Sequence, residues 1–184
     1  MRKVVTGMFI SLDGVTEAPD QWQETFDDDM GASMQARIDR SDAILLGRIT
    51  YDFWHTYWPT SGHEPFATYI NNTPKYVVSS TLDKAEWGEY ENITLLNGNI
   101  VEAISKLKQE PGKDIAVEGS PSLVRFLVEH DLLDELGLMI HPVIAGQGNR
   151  LFTEKSTLKR LKLIDNKITS SGTIIATYAP IKSP

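Results

Sequence analysis

Three short apolar runs of this sequence stop at residues that suit an anion. Ala43 to Leu46 runs into Gly47-Arg48-x-Thr50, Lys75 to Val78 into Ser79-Ser80-Thr81, and Ile115 to Val117 into Glu118-Gly119-Ser120-Pro121-Ser122. A glycine lets a ligand or another backbone come close. An arginine fork pairs with phosphate through two parallel bonds, and the first N–H groups of a following helix face an anion. Serine and threonine hydroxyls at strand ends can bond a ribose phosphate. The same residues also serve plain structure. Gly47-Arg48-x-Thr50 equally suits a helix start capped by Thr50, and Ser120-Pro121 suits an N-cap with proline in the first turn. Glu118 is harder to place without function. A carboxylate at the end of a core strand is costly unless paired or near solvent, which puts it in a cleft or an ion pair. At the end of the first strand, Asp13-Gly14 favours a turn, and Trp22 beyond it can act as an apolar lid. Asp27, Asp28 and Asp29 open the next helix, where acids suit the dipole; Asp28 is the candidate among them for orienting a substrate.

Several chemistries are excluded. The chain of 184 residues has no cysteine, so disulfides, thiol nucleophiles and cysteine metal sites are absent. The four histidines, His55, His63, His130 and His141, show no ligand spacing, and no metal is expected. There is no H-E-x-x-H, no phosphate loop and no G-x-S-x-G nucleophile elbow. Gly146 and Gly148 form G-x-G-x-x-L, but no amphipathic helix or βαβ unit follows, so a tight turn is expected there instead of a dinucleotide fingerprint. A formal net charge of -7 argues against nucleic acid. It also means that a phosphate ligand needs local compensation. No apolar run is long enough for a membrane span, and the N-terminus reads as a strand with no leader peptide. The expected location is cytoplasmic, where the Asn71 and Asn92 sequons carry no meaning.

The elements that position these residues alternate. Lys3–Ser11 reads as a strand. Thr25, with Asp28 three residues on, resembles a capping box, and Met30, Met34 and Ile38 share a helical stripe. Residues 43–46 form a buried strand, and residues 50–57 and part of 64–71 are helical. Strands follow at 75–79 and 93–96. Asn99 caps a helix whose inner face is Ile100, Ile104 and Leu107. A strand at 114–118 leads into a helix with Leu123, Val124, Phe126 and Leu127. The strand at 136–144 holds His141 as a satisfied structural histidine. A hairpin closes the chain, 158–168 and 173–179 around "TSSG". Strands separated by helices pair in parallel under helices on both faces. One domain over 1–184 is expected: a three-layer α/β/α arrangement with a mixed, mostly parallel sheet and a C-terminal antiparallel hairpin. Ligands of such sheets sit beyond the carboxyl ends of the strands.

Five segments in order, "SLDG" at 11–14, "LLGRITY" at 45–51, "VVSST" at 77–81, "VEGSPSL" at 117–123 and "HPVIAGQGNRLF" at 141–152, resemble the dihydrofolate reductase superfamily. Within it they resemble the branch related to the reductase domain of bacterial riboflavin biosynthesis, the RibD C-terminal-domain-like proteins. The resemblance implies a dihydrofolate-reductase-like fold, NADPH as cofactor, and hydride delivery to a small heterocyclic or carbonyl substrate. Gly47, Arg48 and Thr50 would hold the adenosine-side phosphates, with Arg48 near the 2′-phosphate and Ser79 and Ser80 beside that ribose. Gly119, Ser120, Ser122 and Leu123 would carry the diphosphate, and the backbone of Met8 and Phe9 would edge the nicotinamide. Trp22 and Asp28 fall on the substrate side. Asp13, Glu118 or a water would deliver the proton, and a homodimer is implied. Two departures are visible. Ser120 stands where the family has a second glycine, and Gly31 lies near the position of the acid that faces a pterin, so dihydrofolate is not the expected substrate. The zinc-dependent deaminase half, which needs cysteines, is missing. Two further readings stand beside this one: the 5-amino-6-(5-phosphoribosylamino)uracil reductase of riboflavin biosynthesis, which requires basic groups for a substrate phosphate, and a non-catalytic NADPH-binding protein.

Overall fold

A computed structural model describes residues 1–181; the last three residues of the expected 1–184 domain lie outside the described residues. The strands are β1 (Val4–Ser11), β2 (Ser41–Gly47), β3 (Lys75–Val78), β4 (Ile93–Leu96), β5 (Asp114–Val117), β6 (Glu135–His141), β7 (Leu161–Ile168) and β8 (Ile174–Pro180). The helices are α1 (Asp28–Asp39), α2 (Arg48–Tyr57), α3 (Phe66–Asn72), α4 (Ile100–Gln109) and α5 (Pro121–Glu129). The strands form one sheet in the order β4-β3-β2-β5-β1-β6-β8-β7. The first six run parallel, and β8 and β7 add antiparallel pairs at one side. This is the mixed α/β sheet with a C-terminal hairpin that the alternation implies.

The central strands are apolar because both faces are covered. In β2, Ala43 and Leu45 point into a core with Ile115 and Val117, closed by Ile104 and Leu107 of α4 and Val124 and Leu127 of α5. Ile44 and Leu46 point the other way, to Tyr51 of α2, Ile70 of α3, Val77 and Trp87. Ile44, Leu45 and Leu46 have no exposed surface, so truncating any of them to alanine costs about 2–5 kcal/mol. β5 is inserted between β1 and β2, which places its exit at the centre of the sheet.

Several boundaries differ from the sequence reading. Asp27, not Thr25, caps α1; its Oδ1 accepts from the Met30 amide at 3.0 Å. α2 begins at Arg48 with Gly47 as its N-cap, so Thr50 lies inside the first turn and does not cap it. β6 stops at His141 because Pro142 has no N–H to continue the ladder. β7 starts at Leu161, and Leu158 is exposed. Asn71 is buried between the Trp58 carbonyl and the Trp87 indole, to which it donates and from which it accepts, so it offers no sequon to solvent. Lys75 is also buried; its ammonium donates to the carbonyls of Ile70, Asn71 and Thr73 at 2.8–2.9 Å and lies over the Trp87 ring. Burial pushes its pKa down to about 8.

Candidate functional site

The exits of β2 and β5 are tied together. The Gly47 amide donates to the Gly119 carbonyl at 2.7 Å. A Cβ on Gly47 would stand 2.8 Å from the Ser120 amide nitrogen, so the glycine is required by close approach of backbone. Gly119 has φ +109°, and a Cβ there would meet the Thr50 hydroxyl at 2.7 Å. β2 runs directly into α2, and β5 reaches α5 after three residues, which brings the N-termini of α2 and α5 side by side. Neither end is capped by a side chain. Ser120 is the N-cap residue of α5, as its sequence suggests, but its hydroxyl contacts Ser122 Oγ at 2.8 Å.

A groove of about 330 Å³ opens over this junction. It is lined by Gly47 and Arg48, by Ser79, Ser80 and Thr81, and by Ser120, Ser122 and Leu123; Gly98 and Ile100 bring the start of α4 to it. Arg48 Nε donates to both oxygens of Asp52, at 2.7 and 2.8 Å, and Nη1 donates to Thr81 Oγ1 at 3.0 Å. Ser79 Oγ accepts from the amides of Thr81 and Leu82, which shapes the turn after β3. One arginine, several hydroxyls and helix N-termini form a donor set that fits phosphates.

On the other side of Gly119 lies a cavity of about 400 Å³. Met8, Phe9 and Met139 come to it from the central strands, Met34 and Ile38 from α1, and Trp54, Trp58, Phe66 and Tyr69 form an aromatic wall. Thr50 and Gly119 also line it. Its charged residues are Arg37 and Glu118, which pair through both arms of the guanidinium: Nη1 bonds Oε1, and Nη2 bonds Oε2 at 2.9 Å. Burial works against the Arg37 charge, but Glu118 outweighs it and raises the arginine pKa. Burial, with Glu118 nearby, also raises the Tyr69 pKa. Trp58 Nε1 and Tyr69 Oη are buried without a hydrogen-bond partner among the described residues.

Of the residues singled out by sequence, Gly47, Arg48, Ser79, Ser80, Ser120, Ser122 and Leu123 meet in the groove, while Met8, Phe9, Thr50, Glu118 and Gly119 meet in the cavity. Asp13, Trp22 and Asp28 are not among the residues lining either. Asp13 clamps two loops: its carboxylate accepts from Ser11 Oγ at 2.7 Å and from the amides of Ala145 and Gly146 at 2.9 and 3.0 Å, beside Arg150. These bonds, the Ser11 hydroxyl first, lower its pKa to about 2, so it holds no proton to give at neutral pH. Trp22 donates to the Glu17 carbonyl and sets its ring edge-on against His141. Asp28 is exposed in the first turn of α1. His141 is buried beside Phe9 and Trp22, but it is not fully satisfied: Nε2 has no partner among the described residues, and Nδ1 lies 3.5 Å from Thr173 Oγ1. Burial lowers its pKa against the pull of Asp27. Gly146 and Gly148 turn the chain at φ +74° and +107°.

Sequence reasoning missed Arg37 and the aromatic wall. Arg37 sits next to Ile38 on the Met34–Ile38 stripe, and Glu118 asked for a partner, yet the two are 81 positions apart. The wall residues Trp54 and Trp58 come from an aromatic-rich stretch, in which composition alone does not separate a pocket wall from a core.

Residues 2–177 match the RibD C-terminal domain family. The chain is 31% identical over 184 residues to the uncharacterised protein YyaP of Bacillus subtilis (strain 168), covering 96% of this chain and 94% of that protein. A crystal structure from Shewanella sp. PV-4, described as a riboflavin biosynthesis protein, has a TM-score of 0.80 at 21% identity, covering 99% of this chain and 100% of that chain. Dihydrofolate reductase of Enterococcus faecalis, complexed with NADP(H), has a TM-score of 0.63 at 12% identity, covering 98% and 97%. At these identities the structural likeness establishes the fold. Among the described residues no helix is long and apolar enough to cross a membrane.

Proposed function

The chain belongs to the RibD C-terminal domain family, and on that footing we propose that it is an NADPH-dependent oxidoreductase that reduces a small heterocyclic or carbonyl substrate. The observation that carries this reading is the Gly47–Gly119–Ser120 junction, with a phosphate-friendly groove on one side and an aromatic cavity on the other. A dinucleotide has the same division between phosphates and a flat ring. Arg48 with Ser79, Ser80 and Thr81 would hold the adenosine-side phosphates, the start of α5 the diphosphate, and Met8 and Phe9 the edge of the nicotinamide. NADPH, when bound, supplies the hydride. The chain's residues bind, orient and exclude water. The aromatic wall keeps the reacting region dry, which strengthens polar contacts inside it. Glu118 is held by Arg37 and Asp13 is ionised in its clamp, so the substrate takes its proton from water. The reading includes a homodimer. β7 is one of the sheet's two edge strands, exposed on both faces along almost all its length, with Leu163, Ile164 and Ile168 among its exposed apolar residues, and a second copy would cover it.

Titration with NADPH, followed by nicotinamide fluorescence, tests the proposal; absence of binding at submillimolar cofactor would sink it. Arg48→Ala removes charge-assisted bonds worth about 1.5–3 kcal/mol. It should therefore weaken NADPH roughly 10- to 150-fold and NADH far less. Equal weakening of both would remove Arg48 from the 2′-phosphate.

A further inference from the structure

Arg37 and Glu118 are the charged residues lining the aromatic cavity, and each is already the other's partner. Both guanidinium arms are bonded to the carboxylate, and the side chains are 16% and 10% exposed. With Nη1 and Nη2 both turned to Glu118, the pair is neutral as a whole, and an anion drawn to the remaining Arg37 N–H groups would sit beside the Glu118 carboxylate. The other lining residues are apolar, aromatic or hydroxyl-bearing, apart from the glycines. The polar atoms left without partners on that wall, Trp58 Nε1 and Tyr69 Oη, are neutral as well. Moving a phosphate or carboxylate from water into such surroundings without a partner costs several kcal/mol. Pulling Arg37 away to serve as that partner would strand Glu118 as an uncompensated buried charge. Size points the same way. The cavity of about 400 Å³ is near the lower end of ligand pockets, ~300–1,000 Å³, and must hold a nicotinamide ring and its acceptor together.

We infer that the acceptor is an uncharged planar ring compound, a monocyclic or small fused aromatic or heteroaromatic carbonyl, with neither phosphate nor carboxylate. A phosphoribosylated pyrimidine is thereby excluded. The inference rests on the reductase reading for what happens in the cavity, and on the Arg37–Glu118 lock for what enters it. The groove, where Arg48 is exposed and the hydroxyls gather, is where this reading puts the cofactor's phosphates.

Matched probes test this. 4-Nitrobenzaldehyde and lumazine are the neutral members; 4-carboxybenzaldehyde and 4-formylphenyl phosphate are the charged ones. Each is titrated calorimetrically into protein saturated with NADP⁺, and into cofactor-free Arg48→Ala protein so that the groove contributes no cation. NADPH binding is measured separately. The neutral probes should bind about tenfold or more tightly than the charged ones, a difference of about 1.4 kcal/mol. Glu118→Gln releases the Arg37 charge at nearly constant shape, and 4-carboxybenzaldehyde should then gain about tenfold and overtake its neutral partner. Charged probes binding as well as neutral ones to the wild-type protein overturn the inference. So do neutral probes that fail to bind at millimolar concentration, and a ranking unchanged by Glu118→Gln. If that variant does not fold, Arg37→Met, which leaves the carboxylate, must deepen the rejection of both charged probes; weaker rejection overturns the inference. Failure of NADPH to bind sinks the reductase reading instead, and the ranking on cofactor-free protein still decides the class of ligand.

Discussion

Gly47→Ala puts the junction under direct test. The added Cβ would lie 2.8 Å from the Ser120 amide nitrogen and 3.1 Å from Leu123 Cβ, and closer still to Ser120 Oγ. The hydroxyl can rotate away. The amide cannot, because Gly47 N–H to Gly119 O at 2.7 Å ties the two backbones. Ordinary contact begins near 3.4 Å, so the exits of β2 and β5 must part by roughly half an ångström. Forced overpacking of this kind costs about 1–3 kcal/mol. A domain of this size loses roughly 2–4 °C of Tm per kcal/mol, so thermal unfolding should begin about 2–12 °C lower. The displaced atoms are the start of α5, so NADPH affinity should fall by about tenfold or more. Gly62→Ala is the control, since nothing lies within 4 Å of its Cβ. Both quantities are read by melting followed by circular dichroism and by nicotinamide fluorescence. If Gly47→Ala melts and binds like Gly62→Ala, the close-approach reasoning is wrong.

Three further outcomes are expected. The Asp13 carboxylate is lowered from 3.8 to about 2 in the folded chain, so its contribution is full above pH 4 and disappears as pH falls toward 2; the Tm gap between wild type and Asp13→Asn should be open at pH 5 and close over that window, and a gap that widens in acid would contradict the clamp. Lys75→Met leaves the Ile70 carbonyl without its donor and weakens those of Asn71 and Thr73, which Asn92 still serves, so a loss of about 1–3 kcal/mol is expected in urea unfolding; an unchanged midpoint would show that relief of the buried charge cancels it. Light scattering should report twice the 20.6 kDa chain mass, and Ile164→Glu on β7 should return it to one; a monomeric wild type removes the proposed dimer.

The parts of the site legible in sequence were those fixed by local position. Gly47-Arg48, Ser79-Ser80 and Gly119-Ser120 follow strands recognisable as buried apolar runs, and parallel strands place their exits on one edge of the sheet. Glu118 was legible as a problem, a carboxylate at a buried strand end, but not its solution, because Arg37 reaches it across the sheet from α1. Trp54 and Trp58 were ambiguous, since a pocket wall and a core have the same composition. Asp13 and Thr50 misled for one reason: each suggests an ordinary local role, a turn and a cap, whereas the structure uses Asp13 to clamp a loop 132 positions away and sets Thr50 inside the first turn of α2, against Gly119. Strand order was beyond reach. Alternation of strand and helix says that β5 is parallel to its neighbours, not that it lies between β1 and β2.

That insertion has a consequence for how the chain assembles. Thr6 of β1 bonds to Val117 of β5 across 111 positions, so the two strands synthesised first cannot close the middle of their own sheet. Until β5 arrives, β1 and β2 present unpaired inner edges, and long-range pairings of this kind form slowly. A nascent chain cut short before residue 114 therefore has sticky edges and lacks the junction between β2 and β5, since Gly47 has no Gly119 to meet. If the groove takes the proposed cofactor, its binding and closure of the sheet depend on the same strand, and occupancy of the groove would report that the centre of the molecule has finished folding.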